Sequence, residues 1–401
     1  MTHANLHRCL AWVLALFACG ARPSGTCAAD VAEEARQFEV AKARAIRNAV
    51  AAIAPSMVTI ETVGGAQPVR QGMRGPVEES FRVADGPTTG LLLSNDGLIL
   101  ASSFNFARDP SIITVRLSDG RRFVATLLAR DQIRRLALLR IEAENLSAAR
   151  WVPAGEIQVG QYSIACGHGL GASQPFASLG IVSAVGRRNG IAIQTDAKTS
   201  PINYGGPLID LDGRVLGLIV PIAGAGGGAL AGVGWYDSGI GFAIPRDRVD
   251  DVLSRLRKGE NIEPGKIGVV LAPLEEDPLD EMFRDLFPST RGVRIAALAR
   301  PSPAERAELQ AGDIILELEG RPISDVAELQ RKLSDRAAGE KIVLKVKRRW
   351  RTLDVAVLLA APKDIGPFDT PEEEEEAGAD DAELPPGDDD SNQPTTQPEG
   401  D

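Results

Sequence analysis

Imidazole and thiol are scarce in this sequence: three histidines and four cysteines in 401 residues. Imidazole is the side chain best suited to moving a proton at neutral pH, and a thiolate is a nucleophile or a metal ligand. Their positions therefore bound the chemistry available. His3 and His7 lie in the first ten residues, and only at Cys166-Gly167-His168 do the two groups come close in sequence away from that end. One thiol and one imidazole fall short of the four protein ligands of a structural zinc site, so neither a metal nor a cofactor is expected. The plain reading makes Cys166 a small buried hydrophobe and His168 a polar loop residue.

Residues 1–29 have the layout of a secretory signal peptide: Arg8, an apolar run from Cys9 to Cys19, then small residues ending at Ala28 and Ala29. The run is too short to span a bilayer, so export to the periplasm is expected rather than anchoring. A lipoprotein reading through Leu16-Phe17-Ala18-Cys19 is weakened by bulky Phe17. Removal of 1–29 leaves His168 as the one imidazole and Cys166 as the one thiol, which excludes an intramolecular disulfide.

The rest of the chain divides by pattern. Residues 30–54 carry apolar side chains at helical spacing up to Pro55, and read as an amphipathic lead-in helix. From Met57 short β runs follow, broken by Asn95-Asp96-Gly97, Ser118-Asp119-Gly120 and Leu211-Asp212-Gly213. Glycine after aspartate supplies the positive φ of a tight hairpin, so residues 55–258 are expected to be antiparallel β, a barrel or sandwich. Residues 64–88 and Ala223–Gly234 interrupt it as loops, the second a glycine-rich surface loop. Residues 245–258 read as its closing helix, with Val249, Val252, Leu253 and Leu256 on one face, and 259–264 as a linker. Residues 265–361 have the size of one α+β module.

The net charge of −11 is uneven: residues 362–401 hold fifteen acidic residues and one lysine, leaving a small positive balance before them. That acidic tail is too poor in apolar residues to order itself. The small basic excess and the lack of a phosphate-binding glycine loop point away from nucleic acid.

Several motifs, in order, resemble the HtrA (DegP-like, peptidase Do) proteases. Thr89-Gly90 with GLILASSFNFA resembles the segment that carries the histidine, and VRLSDGRRFVATLLARDQIRRLALLRI the one that carries the aspartate. IQTDA followed by SPINYGGPLIDLDGRVLGL resembles the serine segment, and GIGFAIP the closing strand. The resemblance implies a mainly β chain with two six-stranded barrels of trypsin type followed by a PDZ domain.

The family's catalytic side chains are replaced. Phe104 stands in the histidine slot, Arg135 in the aspartate slot and Tyr204 in the serine slot. Acyl transfer on this scaffold needs an oxygen nucleophile, an imidazole to take its proton and a carboxylate to orient the imidazole. None of the three is present in its slot. The oxyanion loop changes too, with Ile202 for glycine ahead of Asn203, and a β-branched residue resists positive φ. Ser102, Ser103, Ser200, Asp131 and Lys198 lie near the old slots and could in principle rebuild a centre, for instance as a Ser200–Lys198 dyad. Their spacing is ordinary for turns. Phe104 and Tyr204 read either as packing that fills the cleft or as an adhesive peptide surface.

Lys266-Ile267-Gly268-Val269-Val270 resembles the PDZ carboxylate loop and the strand after it. The resemblance implies capture of a peptide C-terminus by backbone amides and β-augmentation, with the helix around Val326, Leu329 and Leu333 walling the pocket, whereas the plain reading of Val326 is core packing. Glu308 replaces a family glycine before Leu309 and puts that turn in doubt. The function expected is a secreted pseudoprotease that binds peptide C-termini or unfolded polypeptides as scaffold, chaperone or regulator of protein quality control. The alternatives are an endopeptidase with a rebuilt centre and a non-catalytic subunit of an active HtrA relative; the family habit implies a homotrimer. The acidic tail could also compete for a basic surface around Arg134, Arg135, Arg187 and Arg188.

Overall fold

A computed structural model of the chain describes residues 24–64, 87–107, 109–168, 174–221, 239–274 and 292–368. Most of the expected signal peptide, most of the 64–88 loop, all of the glycine-rich loop Ala223–Gly234 and the acidic stretch from residue 369 lie outside the described residues.

Helix α1 (Ser24–Ile53) begins six residues ahead of the expected start. From residue 30 through 41 its side chains are exposed, whereas Ala49 and Ile53 are buried at its end.

The first β unit holds β1 (Met57–Val63), β2 (Thr88–Leu92), β3 (Leu98–Ser102), β4 (Ile112–Arg116), β5 (Arg122–Val124), β6 (Thr126–Asp131) and β7 (Leu136–Arg140). Their order is β5-β4-β1-β2-β3-β7-β6. The two ends of this sheet are one bent strand: β5 and β6 are separated only by Ala125, whose N–H donates to Ile113 O at 2.9 Å. Counted that way the first unit has the six strands expected.

The second unit is a closed barrel, β10-β13-β12-β11-β8-β9, built from β8 (Tyr162–Gly167), β9 (Phe176–Gly186), β10 (Ala192–Thr195), β11 (Pro207–Ile209), β12 (Val215–Ile219) and β13 (Gly241–Ile244). The three expected turns join β2 to β3, β4 to β5 and β11 to β12. At the first, Gly97 has φ +98°, and a Cβ there would lie 2.1 Å from Ile141 O. Only glycine fits.

Helix α2 (Arg246–Arg257) buries Val249, Val252 and Leu256. The segment expected as a linker is not a loose tether. Ile262 is buried, its N–H donates to Arg130 O at 2.8 Å, and its carbonyl accepts from Gln132 N at 2.9 Å, so the chain is stitched to β6.

The last module has a sheet in the order β14 (Val269–Pro273), β15 (Val293–Leu298), β16 (Ile314–Leu318), β18 (Lys341–Arg348), β19 (Arg351–Leu358), with β17 (Arg321–Pro322) paired to β16. Two short helices, α3 (Pro303–Arg306) and α4 (Val326–Ser334), accompany it. Asp325 caps α4 by accepting from Glu328 N at 2.7 Å, and Glu328 in return accepts from Ser324 N, a capping-box exchange shifted by one residue. Order continues past residue 361, into the start of the expected tail: Gly366 N donates to Pro301 O and Arg300 N to Pro367 O, each at 2.9 Å.

Candidate functional site

The cleft between the two β units is filled. Phe104 sits in the single turn of 3-10 helix that follows β3, and Tyr204 in the turn between β10 and β11. Their rings meet edge to face, with centroids 5.5 Å apart and planes at 86°. Only 9% of Phe104 and 4% of Tyr204 is exposed, and both pack in one cluster with Val152, Ile157, Leu208 and Ile219. Asn105 Nδ2 donates to Tyr204 O at 3.0 Å and ties the two turns together. Burial of this kind leaves no adhesive aromatic surface, so the packing reading of these residues fits and the surface reading does not.

The loop that would cradle an oxyanion is closed on itself. Asn203 N and Tyr204 N both donate to Ser200 O, at 3.0 and 3.1 Å. Ser200 N donates to Asn203 Oδ1 at 2.7 Å, and Asn203 Nδ2 to Lys198 O at 3.2 Å. Ile202 is not among the residues of positive φ. Its carbonyl accepts from Thr89 Oγ1 at 3.0 Å, and the same oxygen of Thr89 accepts from His168 N at 2.8 Å. Oxyanion stabilisation requires amides aimed at the reacting carbonyl oxygen; here the amides of residues 203 and 204 already have partners.

Arg135 ends the turn between β6 and β7 in left-handed backbone, φ +60°. Its carbonyl accepts from Ser103 N at 2.9 Å, which holds this turn against the one bearing Phe104. Burial first, and the Arg188 charge second, lower its pKa. The neighbouring hydroxyls and carboxylate serve turns. Ser102 Oγ accepts from Phe104 N at 3.3 Å, and fully buried Asp131 accepts from Ile133 N, Arg134 N and Arg134 Nη1 at 2.8 to 3.1 Å. Cys166 is fully buried, and burial pushes its thiol up to about 12, which keeps it protonated and unreactive. His168 is 8% exposed, buried more deeply than a loop residue was expected to be, because Thr89 clamps its backbone. Among the described residues no three metal-binding side chains come together.

The PDZ-like edge is different. Gly268 has φ +83°, and a Cβ on it would lie 2.6 Å from Ser302 Cβ. The carbonyls on either side of this bend are used: Ile267 O accepts from Ala304 N and Gly268 O from Ala299 N, each at 2.9 Å. β14 pairs with β15 alone, so no other described strand covers its outer edge, and α4 lies against it. Val269 and Leu271 are partly buried on that module's core, as are Val326 and Leu333, while Val270 is 40% exposed.

Leu329 is a correction. It is wholly buried in the core of the module and cannot wall a pocket, whereas Val326 and Leu333, three residues before and four after, lie partly exposed on the helix. The inward turn of α4 points at 329 because 3.6 residues per turn puts 326 and 333 at its flanks. Ile267 is buried too, so only its backbone could meet a ligand. Leu271 was missed, although alternation with Val269 along the strand is a readable signal.

The comparisons agree with this architecture. A trypsin-like peptidase domain family matches residues 88–218 and a PDZ domain family residues 265–359. A probable periplasmic serine endoprotease, DegP-like, of Chlamydia pneumoniae is 30% identical over 344 residues, 78% of this chain and 68% of its own length. The chain belongs to the DegP-like, HtrA-type family. A further DegP-like relative, from Hahella chejuensis, is 35% identical over 289 residues, 71% of this chain and 58% of that protein. The chain spans little more than half the length of several of these relatives, as the 58% and 53% coverage of two of them shows. Among solved structures, HtrA-type protease AlgW with tripeptide is 26% identical with a TM-score of 0.57, over 81% of this chain and 97% of that one. AlgW with decapeptide gives 26% and 0.57, over 80% and 98%. Within this HtrA-type frame the described residues include no helix long and apolar enough to cross a membrane.

Proposed function

We propose that this HtrA-type chain has no hydrolytic centre and works by holding polypeptide. The observation that carries the reading is the buried Phe104–Tyr204 pair, 5.5 Å between centroids, in two of the three triad slots, with Arg135 in the third. Phenylalanine cannot accept a proton and a guanidinium cannot orient an imidazole, and the amides near Tyr204 are bonded within their own turn. The retained capacity is at the PDZ edge, where an open strand and a glycine bend suit an extended peptide ending in a free carboxylate. The relatives named as periplasmic endoproteases and the AlgW structures with peptides support a periplasmic role in protein quality control, as scaffold, chaperone or regulator. Incubation of the purified chain, freed of residues 1–29, with casein and with a fluorophosphonate probe tests this. No turnover and no labelled serine are expected; labelling at Ser102, Ser103 or Ser200 would overturn it.

A further inference from the structure

The second barrel and the PDZ module meet at a cluster of charges. In the turn between β9 and β10, Arg188 and Asn189 take left-handed backbone, φ +50° and +54°. Arg188 Nη2 lies 3.6 Å from Asp335 Oδ1, and Asn189 Nδ2 donates to Arg331 O at 3.2 Å and to Asp335 Oδ2. Ile262 is bridged to Asp131 and Pro264 to Ala337, which brings the turn of Arg134 and Arg135 beside the Asp335 cluster, where the Arg134 charge acts on Asp335 and the Arg188 charge on Arg135. Among the described residues, Asp131 and Asp335 are the carboxylates bonded to Arg134 and Arg188. Asp131 is spent on Arg134 and two turn amides, and Asp335 on Arg188 and Asn189.

Arg135 is left over. It is partly buried, and among the described residues its side chain has no hydrogen bond or ion pair. Its neighbour Arg134 also buries Nε with no acceptor. A charge withdrawn from water without a partner is costly, and guanidinium forks suit carboxylate and phosphate oxygens.

We propose that Arg135, with Arg134 and Arg188, forms an oxyanion site at the barrel–PDZ junction, filled by a carboxylate of the chain's own segment 369–401. That segment holds fourteen acidic residues and no basic one. The described residues end at Phe368, which is bridged to Ala299 of the PDZ module. A random coil of 33 residues would reach about 30 Å, and a tethered anion outcompetes a free one at equal intrinsic affinity.

The test compares two full chains, freed of residues 1–29: the natural one, and one with all fourteen acidic residues of 369–401 changed to Asn or Gln. Calorimetry measures binding of inorganic phosphate and of a synthetic peptide of residues 369–390. The neutralised chain is expected to bind both, each displacing the other and both weakening with salt, and the natural chain to bind them at least tenfold more weakly. Arg135→Asn, which tolerates left-handed backbone, should weaken binding to the neutralised chain at least tenfold, as should Arg188→Gln. Overturning results are no binding by the neutralised chain, equal binding by the Arg135→Asn and Arg188→Gln chains, or phosphate binding as tight in the natural chain as in the neutralised one, which would make the site one for a free ion.

Discussion

The barrel cleft and the PDZ edge depend on different parts of the chain. Hydrolysis on a trypsin fold depends on side-chain types at three positions, and here those positions hold Phe104, Arg135 and Tyr204. Each new side chain has been absorbed into ordinary structure: two rings in a core cluster and a carbonyl that pins one turn to another. Peptide pairing at a strand edge depends on backbone amides and on one glycine bend. The side chains around Gly268 can vary while β14 keeps its open edge. A site built on backbone amides tolerates side-chain substitutions that a site built on side chains does not.

The largest effect that separates the two regions should come from Phe104→Ala. Removing a buried ring from the pair costs about 3–5 kcal/mol, read as a lower denaturant midpoint for the barrels. The opened cleft should still not cleave casein, and binding of a labelled decapeptide with a free apolar C-terminus should stay within twofold of the parent. Activity in this variant would mean that the aromatic plug alone silences the site.

Gly268→Val is the complementary break. The new Cβ would press on Ser302 and would sit in left-handed backbone, so decapeptide affinity should fall about a hundredfold, roughly 2.7 kcal/mol, with the barrel midpoint unmoved. Unchanged affinity would remove the bend from the binding site.

Much of this contrast is legible in the sequence, for local reasons. Asp-Gly turns specify hairpins through φ alone, so all three were readable. The slots of Phe104, Arg135 and Tyr204 are assigned from the motifs that flank them. The edge-to-face contact of Phe104 with Tyr204 is not legible, since a hundred residues separate them and only the packing of the two β units brings them together. Arg135 taking φ +60° was equally hidden, because nothing local forces an arginine there. Glu308 shows the converse. The loss of a family glycine suggested a disturbed turn, yet Glu308 adopts φ +57° and its carbonyl accepts from Arg348 Nη2 at 2.7 Å. Ile262 read as linker because an isolated apolar residue between glycine and proline has no periodicity to reveal its dock on β6.

Thr89→Val probes the seam that holds the closed oxyanion loop. The substitution keeps the shape of a fully buried side chain but removes the acceptor for His168 N and the donor to Ile202 O. Leaving a buried amide without its acceptor costs about 1–3 kcal/mol. A lower barrel midpoint with unchanged decapeptide affinity is expected; equal stability would show that these hydrogen bonds are replaceable.

The smallest effect is the pH dependence carried by His168. Burial, then the nearby Arg116 charge, lowers its pKa from the ordinary 6.5. The unfolded chain therefore takes up its proton at a higher pH than the folded one. Above about pH 7 both states are neutral at this group and its stabilising difference is complete; as pH falls below 6.5 the unfolded state gains protons first, and stability declines until the folded pKa is passed. Between about pH 7.5 and about pH 5.5, above the ordinary range of carboxylates, the melting temperature should fall more in the natural chain than in His168→Gln. Parallel curves would show that the imidazole is as free to charge in the fold as in water, and that the seam beside Thr89 admits solvent.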